Sequence, residues 1–176
     1  MLDQSFLDLF ITEIKRRLFE ESQVRLEQCL HELSEADIWW RPNENSNSVG
    51  NLVLHLCGNA RQWILAGLGG AADLRQRQTE FDERGPMPRT EMIQRVQQLM
   101  VEIDQVLNRL TPADIERKIT VQGFNETGMS ILIHVVEHFS YHVGQMAYIV
   151  KARLDKQTNF YGGINLENNE TNAEEL

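Results

Sequence analysis

The sequence predicts an all-α protein, a four-helix bundle, and three observations support this fold class. Apolar residues recur at helical spacing in four separate segments of the chain. Residues that favour helix caps and helix breaks flank these segments. The connection at residues 69–89 is long and polar, which is typical of a crossover between the second and third helices of a bundle.

The first two helices are predicted from their apolar stripes and from the residues at their ends. The first covers residues 3–33, where apolar side chains recur four, seven and eleven positions after Leu7. The second covers about residues 48–68. Ser48 is a suitable N-cap for it, and the two glycines directly after the segment end the helix.

The third and fourth helices differ in how much of their surface is apolar. The third begins near Pro88 and Thr90, and its single apolar face is formed by Met92, Val96, Leu99, Ile103, Val106 and Leu110. The fourth covers about residues 127–153 and is apolar around nearly its whole circumference. Such a helix is buried on several sides, either at the centre of the bundle or also in a subunit interface.

Length and composition limit the domain organisation and the classes of partner. We predict a single domain at residues 1–153, followed by a polar tail at residues 154–176. The 17 basic and 26 acidic residues give a net charge of −9, which argues against nucleic acid and membrane surfaces as partners. No apolar run is long enough for a transmembrane span.

The N-terminal region and the two cysteines favour a cytoplasmic protein. Asp3 lies near the start and no basic residue precedes the first apolar stretch, so no signal peptide is predicted. Cys29 and Cys57 form no C-x-x-C pair, and disulfides are not expected. We therefore expect a cytoplasmic localisation.

Four of the five histidines lie in the two most apolar predicted helices. His55 belongs to the second helix, whereas the fourth helix carries His134, His138 and His142 at intervals of four residues. His31 lies in an ordinary amphipathic segment and is expected at the surface. A buried imidazole loses about 1–3 kcal/mol for each unpaired polar group, so four of them make a poor apolar core. Because imidazoles four positions apart share a helix face, the pattern predicts a metal site.

The spacing limits which histidines can share one ion. His134 and His142 lie about 12 Å apart along the helix axis. A mononuclear site therefore takes either His134 with His138 or His138 with His142, and His55 is the natural third ligand in both cases. Three neutral imidazoles leave coordination positions open, as in catalytic sites. A divalent ion is expected, in the first place Zn or Ni, with Fe or Mn as alternatives.

A second motif offers an alternative to the three-histidine site. Residues 134–138 match H-x-x-E-H, the pattern of inverzincin metalloproteases, in which Glu137 would be the general base. That site needs an acidic ligand downstream, where only Glu167 and Glu170 of the polar tail remain. The Glu-x-x-His pairs of di-iron bundles are absent from both histidine-bearing helices.

Two stretches of the sequence resemble the DinB-like (YfiT-like) metal-binding superfamily. The first is NLVLHL at residues 51–56, and the second is HFSYHVGQ at residues 138–145, whose H-x-x-x-H-x-G-Q spacing is the more specific. Residues 47–81 look like one uncharacterised branch of that superfamily. The resemblance extends to about residue 153.

The resemblance implies an up-down-down-up bundle whose metal is held by His55, His138 and His142. His134, which the spacing allows as the alternate ligand, would then lie one turn away, behind a ligand or in the pocket. Characterised relatives include thiol S-transferases that use bacillithiol or mycothiol, a maleylpyruvate isomerase and metal-dependent hydrolases. Val143 stands where the superfamily often has arginine, so any role of that arginine is vacant in this chain.

A homodimer is also implied, because members of the superfamily commonly form dimers. The fourth helix supports this expectation, since one of its sides should leave an apolar stripe exposed in a monomer. That stripe consists of Val136, Val143, Ala147 and Val150.

These observations together predict a metal-dependent enzyme of thiol S-transferase or hydrolase type. The nucleophile would be a metal-bound water or a low-molecular-weight thiol from outside, because Cys29 and Cys57 lack an activating motif. The alternative function is that of a non-catalytic, stress-related metal-binding bundle whose dimer surface is its function. If the protein is an enzyme, we also expect it to bind a low-molecular-weight thiol or another small molecule as its substrate.

Several residues around the predicted site have proposed roles. The candidates that would hold the outer ring nitrogens of the histidines are Glu137, Tyr141, Asn59 and Gln145. The loops at residues 34–47 and 69–89 would form the mouth of the site. Their aromatic residues either line that mouth or anchor the loops, and these are Trp39, Trp40 and Phe81.

Overall fold

All four predicted helices are present in the computed structural model, which describes residues 3–167. The first, α1, is continuous from Gln4–Lys15 through a π-helical stretch at Arg16–Gln23 to Val24–Glu32. The side chain of Asp3 caps its N-terminus. The predicted boundaries of this helix are confirmed, whereas apolar spacing gave no indication of the π-helical stretch.

The second long helix, α3, covers Val49–Ala60 and continues as a π-helical stretch at Arg61–Leu68. Ser48 is its N-cap, as predicted. Two short helices lie on either side of it in the chain, α2 at Glu35–Ile38 and α4 at Arg77–Asp82. Neither short helix is predicted from the sequence, because so few residues cannot show a helical period.

The third long helix, α5, covers Arg89–Leu107, and the fourth, α7, covers Gly128–Leu154. A short helix, α6, lies between them at Pro112–Glu116. It is followed by an antiparallel hairpin of β1, Lys118–Val121, and β2, Phe124–Thr127. The sequence analysis predicted neither α6 nor the hairpin.

The long connection joins two helices that run parallel to each other. Arg61 of α3 donates to Glu102 of α5 at 2.7 Å, and Arg109 after α5 donates to the carbonyl of Gly69 at 3.0 Å. Both helices therefore end on the same side of the bundle. The chain must return along the whole length of the bundle between them, which confirms the predicted crossover.

The end of α1 fixes the direction of the other helices. Arg89, the first residue of α5, donates to the carbonyl of Leu33 at 2.8 Å. Arg153, near the end of α7, forms an ion pair with Asp37, shortly after α1. Helix α1 is therefore antiparallel to α5 and parallel to α7, and the order of the bundle is up-down-down-up.

Helix α7 contacts both α1 and α3 along the bundle. Val143, Ala147 and Val150 are buried inside the single chain, and Val136 is half-buried. The expectation of an exposed stripe at these four positions is wrong, because α1 packs along this part of α7.

The described part of the polar tail returns to α1. Gln28 donates to the carbonyl of Thr158 at 2.5 Å, and Thr158 is itself buried. Residues 168–176 of the predicted tail, including Glu170, lie outside the described residues. Among the helices within residues 3–167, none combines the length and the apolar content needed to cross a membrane.

Candidate metal centre

Helices α3 and α7 bring three histidines together in the middle of the bundle. Nε2 of His138 lies 3.1 Å from Nε2 of His55 and 2.9 Å from Nε2 of His142. The ligand atoms of the three residues all lie within 4.8 Å of one another. This group is the set of residues that the superfamily resemblance implies.

The outer ring nitrogens of two of these histidines are held by side-chain oxygens. Nδ1 of His55 lies 2.9 Å from Oε2 of Glu80, and Nδ1 of His142 lies 2.7 Å from Oε1 of Gln145. Because both oxygens accept, each Nδ1 carries the proton and each Nε2 keeps a lone pair. Gln145 was among the predicted candidates for this role, and Glu80 was not.

The inner contacts of the three rings cannot all be hydrogen bonds. Nε2 of His138 has at most one proton to donate, yet it faces lone pairs on both His55 and His142. A cation in this position would accept a lone pair from each ring. Three imidazoles with no carboxylate among them form a donor set that suits Zn or Ni better than Mg or Ca. The residues present therefore fit the expected divalent ion.

His138 is held in the neutral form that binds metals. Burial and the neighbouring His142 and His55 lower the pKa of its imidazole to about 3. Its Nδ1 atom is buried and has no hydrogen-bond partner within the described residues. Burial also lowers the pKa of His142. Both rings are consequently neutral near pH 7 and available as ligands.

Glu80 comes from the long connection and reaches His55 as an ion pair with Arg75. Arg75 donates to the carboxylate twice, from Nε to Oε1 at 2.7 Å and from Nη2 to Oε2 at 2.9 Å. Burial raises the pKa of Glu80, but the hydrogen bonds from Arg75 and His55 outweigh it and hold the pKa below its ordinary value. Glu80 is therefore an ionised acceptor for His55.

His134 lies one helical turn before His138 and outside the three-histidine group. Its ring stacks on Trp63 of α3 with centroids 3.8 Å apart. Its Nε2 atom lies 3.4 Å from Nδ2 of Asn59, whose Oδ1 is buried without a partner among the described residues. His134 therefore lies beside the three-histidine group, and its ring centroid is 5.4 Å from that of His138.

The other predicted neighbours of the site differ in their position. Tyr141 is 63% exposed, and its ring contacts the ring of His142 at a centroid distance of 4.9 Å. Glu137 is exposed on α7, and within residues 3–167 it has no recorded hydrogen bond to a histidine of the group. Its position gives no support to the H-x-x-E-H alternative.

One of the three predicted loop aromatics contacts the site. The ring of Phe81 lies 4.7 Å from the ring of His55. Trp39 instead anchors its loop, since its Nε1 donates to the carbonyl of Met87 at 3.4 Å. Trp40 lies beneath the guanidinium of Arg153, at 4.7 Å.

Neither cysteine is activated as a nucleophile. Cys29 and Cys57 are both buried, and burial raises the pKa of each thiol to about 12. A thiol with so high a pKa is almost wholly protonated at pH 7. Neither cysteine therefore supplies a thiolate to the site near pH 7.

Residues 5–161 match a family described as a protein of unknown function, DUF1572. The chain belongs to this family. No curated protein matches the chain.

Solved structures support the DinB-like fold. A DinB-like protein from Bacillus subtilis has a TM-score of 0.62 at 17% identity, covering 85% of this chain and 94% of its own. A conserved protein from Enterococcus faecalis has a TM-score of 0.68 at 14% identity, and the match covers 89% of this chain and 100% of that protein. A DinB-like protein from Bacillus cereus has a TM-score of 0.59 at 15% identity, and the match covers 78% of this chain and 88% of that protein. The predicted fold class of this DUF1572 member is thereby confirmed, and its fold is similar to that of proteins described as DinB-like.

Proposed function

We propose that this DUF1572 member is a cytoplasmic metal-dependent enzyme that binds one divalent ion, Zn or Ni in the first place, through His55, His138 and His142. The main observation in support is that the ligand atoms of the three histidines lie close together. Hydrogen bonds also hold the Nδ1 atoms of His55 and His142, which leaves their Nε2 atoms free to bind an ion. When bound, such an ion supplies a Lewis acid that lowers the pKa of a water or thiol ligand.

The chain's own residues favour an external thiol as the reacting group, which makes thiol S-transfer the first choice and hydrolysis the second. Imidazole ligands carry no negative charge, and the carboxylate of Glu80 behind His55 is paired with Arg75, so an anionic ligand meets no uncompensated negative charge there. Thiolates are soft anionic ligands that suit ions of this class. The buried Cys29 and Cys57 cannot supply that thiolate.

Spectroscopy of the cobalt-substituted protein tests this proposal. We expect one Co(II) per chain, and on titration with L-cysteine we expect a thiolate-to-metal charge-transfer absorption band. L-serine, which has oxygen in place of sulfur, is the matched control and should produce no such band. The band requires both the ion and an open coordination position, so it reports on the site directly.

The outcomes separate the parts of the proposal. A protein that binds Co(II) but shows no band with any small thiol is not a thiol transferase, which leaves hydrolysis or a non-catalytic metal-binding role. A protein that binds no Co(II), Zn or Ni in stoichiometric amount contradicts the metal site itself.

A further inference from the structure

The connection between α3 and α5 places a buried ion pair directly behind His55. The side chains of Arg75 and Glu80 are only 4% and 9% exposed. Oε2 of Glu80 accepts from Nδ1 of His55 at 2.9 Å, while both carboxylate oxygens accept from Arg75. Nη2 of Arg75 also lies 3.2 Å from Nδ1 of His55, but both atoms are donors when Glu80 is ionised, so this contact is not a hydrogen bond.

The position of Arg75 is itself fixed by further contacts. Its remaining terminal nitrogen, Nη1, donates to Oε1 of Gln62 at 2.9 Å. Gln62 in turn donates to Asp73 at 2.7 Å. A chain of directed hydrogen bonds therefore extends from the surface of α3 to the ring of His55.

Gly58 makes the close approach of this pair possible. It lies on α3, three residues after His55 and therefore on nearly the same face. A Cβ atom built on Gly58 would lie 2.0 Å from Oε1 of Glu80 and 3.1 Å from Nε of Arg75. Any other residue at position 58 would displace the carboxylate from His55.

We infer that Glu80 is a positioning residue that keeps the proton of His55 on Nδ1 and so leaves Nε2 to bind the metal. Arg75 holds the carboxylate in place, and the absence of a side chain at Gly58 leaves room for it. This inference rests on the proposed metal site and adds a residue set that neither the histidine spacing nor the family match assigns. A buried ion pair contributes little to stability by itself, because desolvation offsets the attraction between its charges. Its placement against His55 is therefore better explained by the orientation of the ring.

The first test measures metal affinity by competition with a chromophoric chelator. Glu80→Gln and Gly58→Ala should each raise the dissociation constant for Zn by about 10–100-fold, the usual effect of losing a partner of a metal-binding histidine. Gly58→Ala keeps both charges of the pair, so it tests position and not charge. Circular dichroism establishes that each variant is folded.

Two matched controls accompany these variants. Gly67→Ala is the control for Gly58→Ala, because Gly67 also lies on α3 and a Cβ there would have no contact closer than 3.6 Å. Glu102→Gln is the control for Glu80→Gln, because it breaks a more exposed ion pair, between Glu102 of α5 and Arg61 of α3, the helix that carries His55. Neither control should change the dissociation constant for Zn.

The second test needs no metal. Nitrogen-15 NMR of the metal-free wild-type protein should show His55 as the Nδ1–H tautomer, and Gly58→Ala should show a mixture of both tautomers. The positioning role is overturned if wild-type His55 carries its proton on Nε2, or if both folded variants bind Zn as tightly as the wild type. The Nδ1–H tautomer in a wild-type protein without metal affinity would instead contradict the proposed function and leave the positioning role intact.

Discussion

At the scale of single residues, the opposite helix decides which histidines of α7 join the candidate site. His134 and His142 are each four positions from His138, so spacing alone treats them alike. Helix α3 presents His55 to one of them and Trp63 to the other. The choice between His134 and His142 is therefore a property of helix packing and not of the local sequence.

The ligand assignment makes a direct prediction for substitutions. His142→Ala should abolish stoichiometric binding of Zn or Ni, because two imidazoles remain and the site loses a ligand. His134→Ala should retain the metal, since the ring of His134 stacks on Trp63 outside the three-histidine group. Equilibrium dialysis measures both. If His134→Ala loses the metal while His142→Ala keeps it, the assignment of His142 is wrong.

The sequence predicts that the three histidines lie together, but it does not predict the contact of Glu80 with His55. The imidazoles are visible in the sequence because polar residues are conspicuous in apolar helices. Glu80 is not conspicuous in the sequence, because it lies 25 residues from His55 in a polar connection where a glutamate is ordinary. Only the path of the connection brings it to the ring. Gly58 could be noted as a mid-helix glycine, but the sequence could not say what approaches it.

At the scale of secondary structure elements, helix ends were predictable wherever a capping side chain marks them. Ser48 and Thr127 both form capping boxes, with Asn51 and Ser130 at the third helical position. The predicted starts of α3 and α7 therefore agree with the structure to within one residue. The apolar period supplied the rest of both helices.

The β-hairpin was missed although a local signal for it exists. Gln122 and Gly123 both have positive φ, 51° and 81°, which is the geometry of a tight two-residue hairpin turn. The preceding strand includes three β-branched residues in succession, Ile119, Thr120 and Val121. A strand of four residues is too short for a reliable alternating pattern, so only the combination of turn and strand residues indicates it.

The crossover helix α4 is anchored by one side chain of α3, and this predicts a large effect on stability. Asn51 is fully buried and donates to the carbonyls of Glu80 and Glu83, at 2.9 Å each. Asn51→Ala removes both bonds and the capping box, so we expect a loss of at least about 2 kcal/mol from the free energy of unfolding. Urea denaturation measures it.

The matched control for this substitution is Ser34→Ala, which removes an exposed N-cap from α2. It should lower the free energy of unfolding by about 0.5–2 kcal/mol. An Asn51→Ala variant that loses no more stability than Ser34→Ala would show that the anchor contributes nothing beyond a cap.

At the scale of the whole molecule, the surface of α7 that remains exposed differs from the predicted one. Tyr141 is 63% and Tyr148 is 74% exposed, and both lie on one side of the helix with Gly144 between them. Together with Trp40 they border a cleft of about 700 Å³. Among the described residues that line this cleft, none is charged, although charged residues make up 24% of the chain.

We propose that this uncharged aromatic surface, on a protein of net charge −9, contacts a second copy of the same chain. Aromatic residues are enriched and charged residues are depleted at the centres of protein interfaces. Two copies that met through this cleft would bring no like charges of its lining residues together, so the contact itself would add no charge repulsion. The dimer that the superfamily resemblance implies thus has a candidate surface at Tyr141 and Tyr148.

We therefore expect a homodimer with about twice the chain mass of 20.4 kDa in analytical ultracentrifugation at micromolar concentration. Tyr148→Glu should shift the equilibrium to the monomer, because two like charges would face each other across the interface. Leu9→Glu is the matched control, since Leu9 is an equally exposed apolar residue, 71%, on α1. A monomeric wild type would exclude the dimer, whereas a dimer that Tyr148→Glu leaves intact must associate through a different surface.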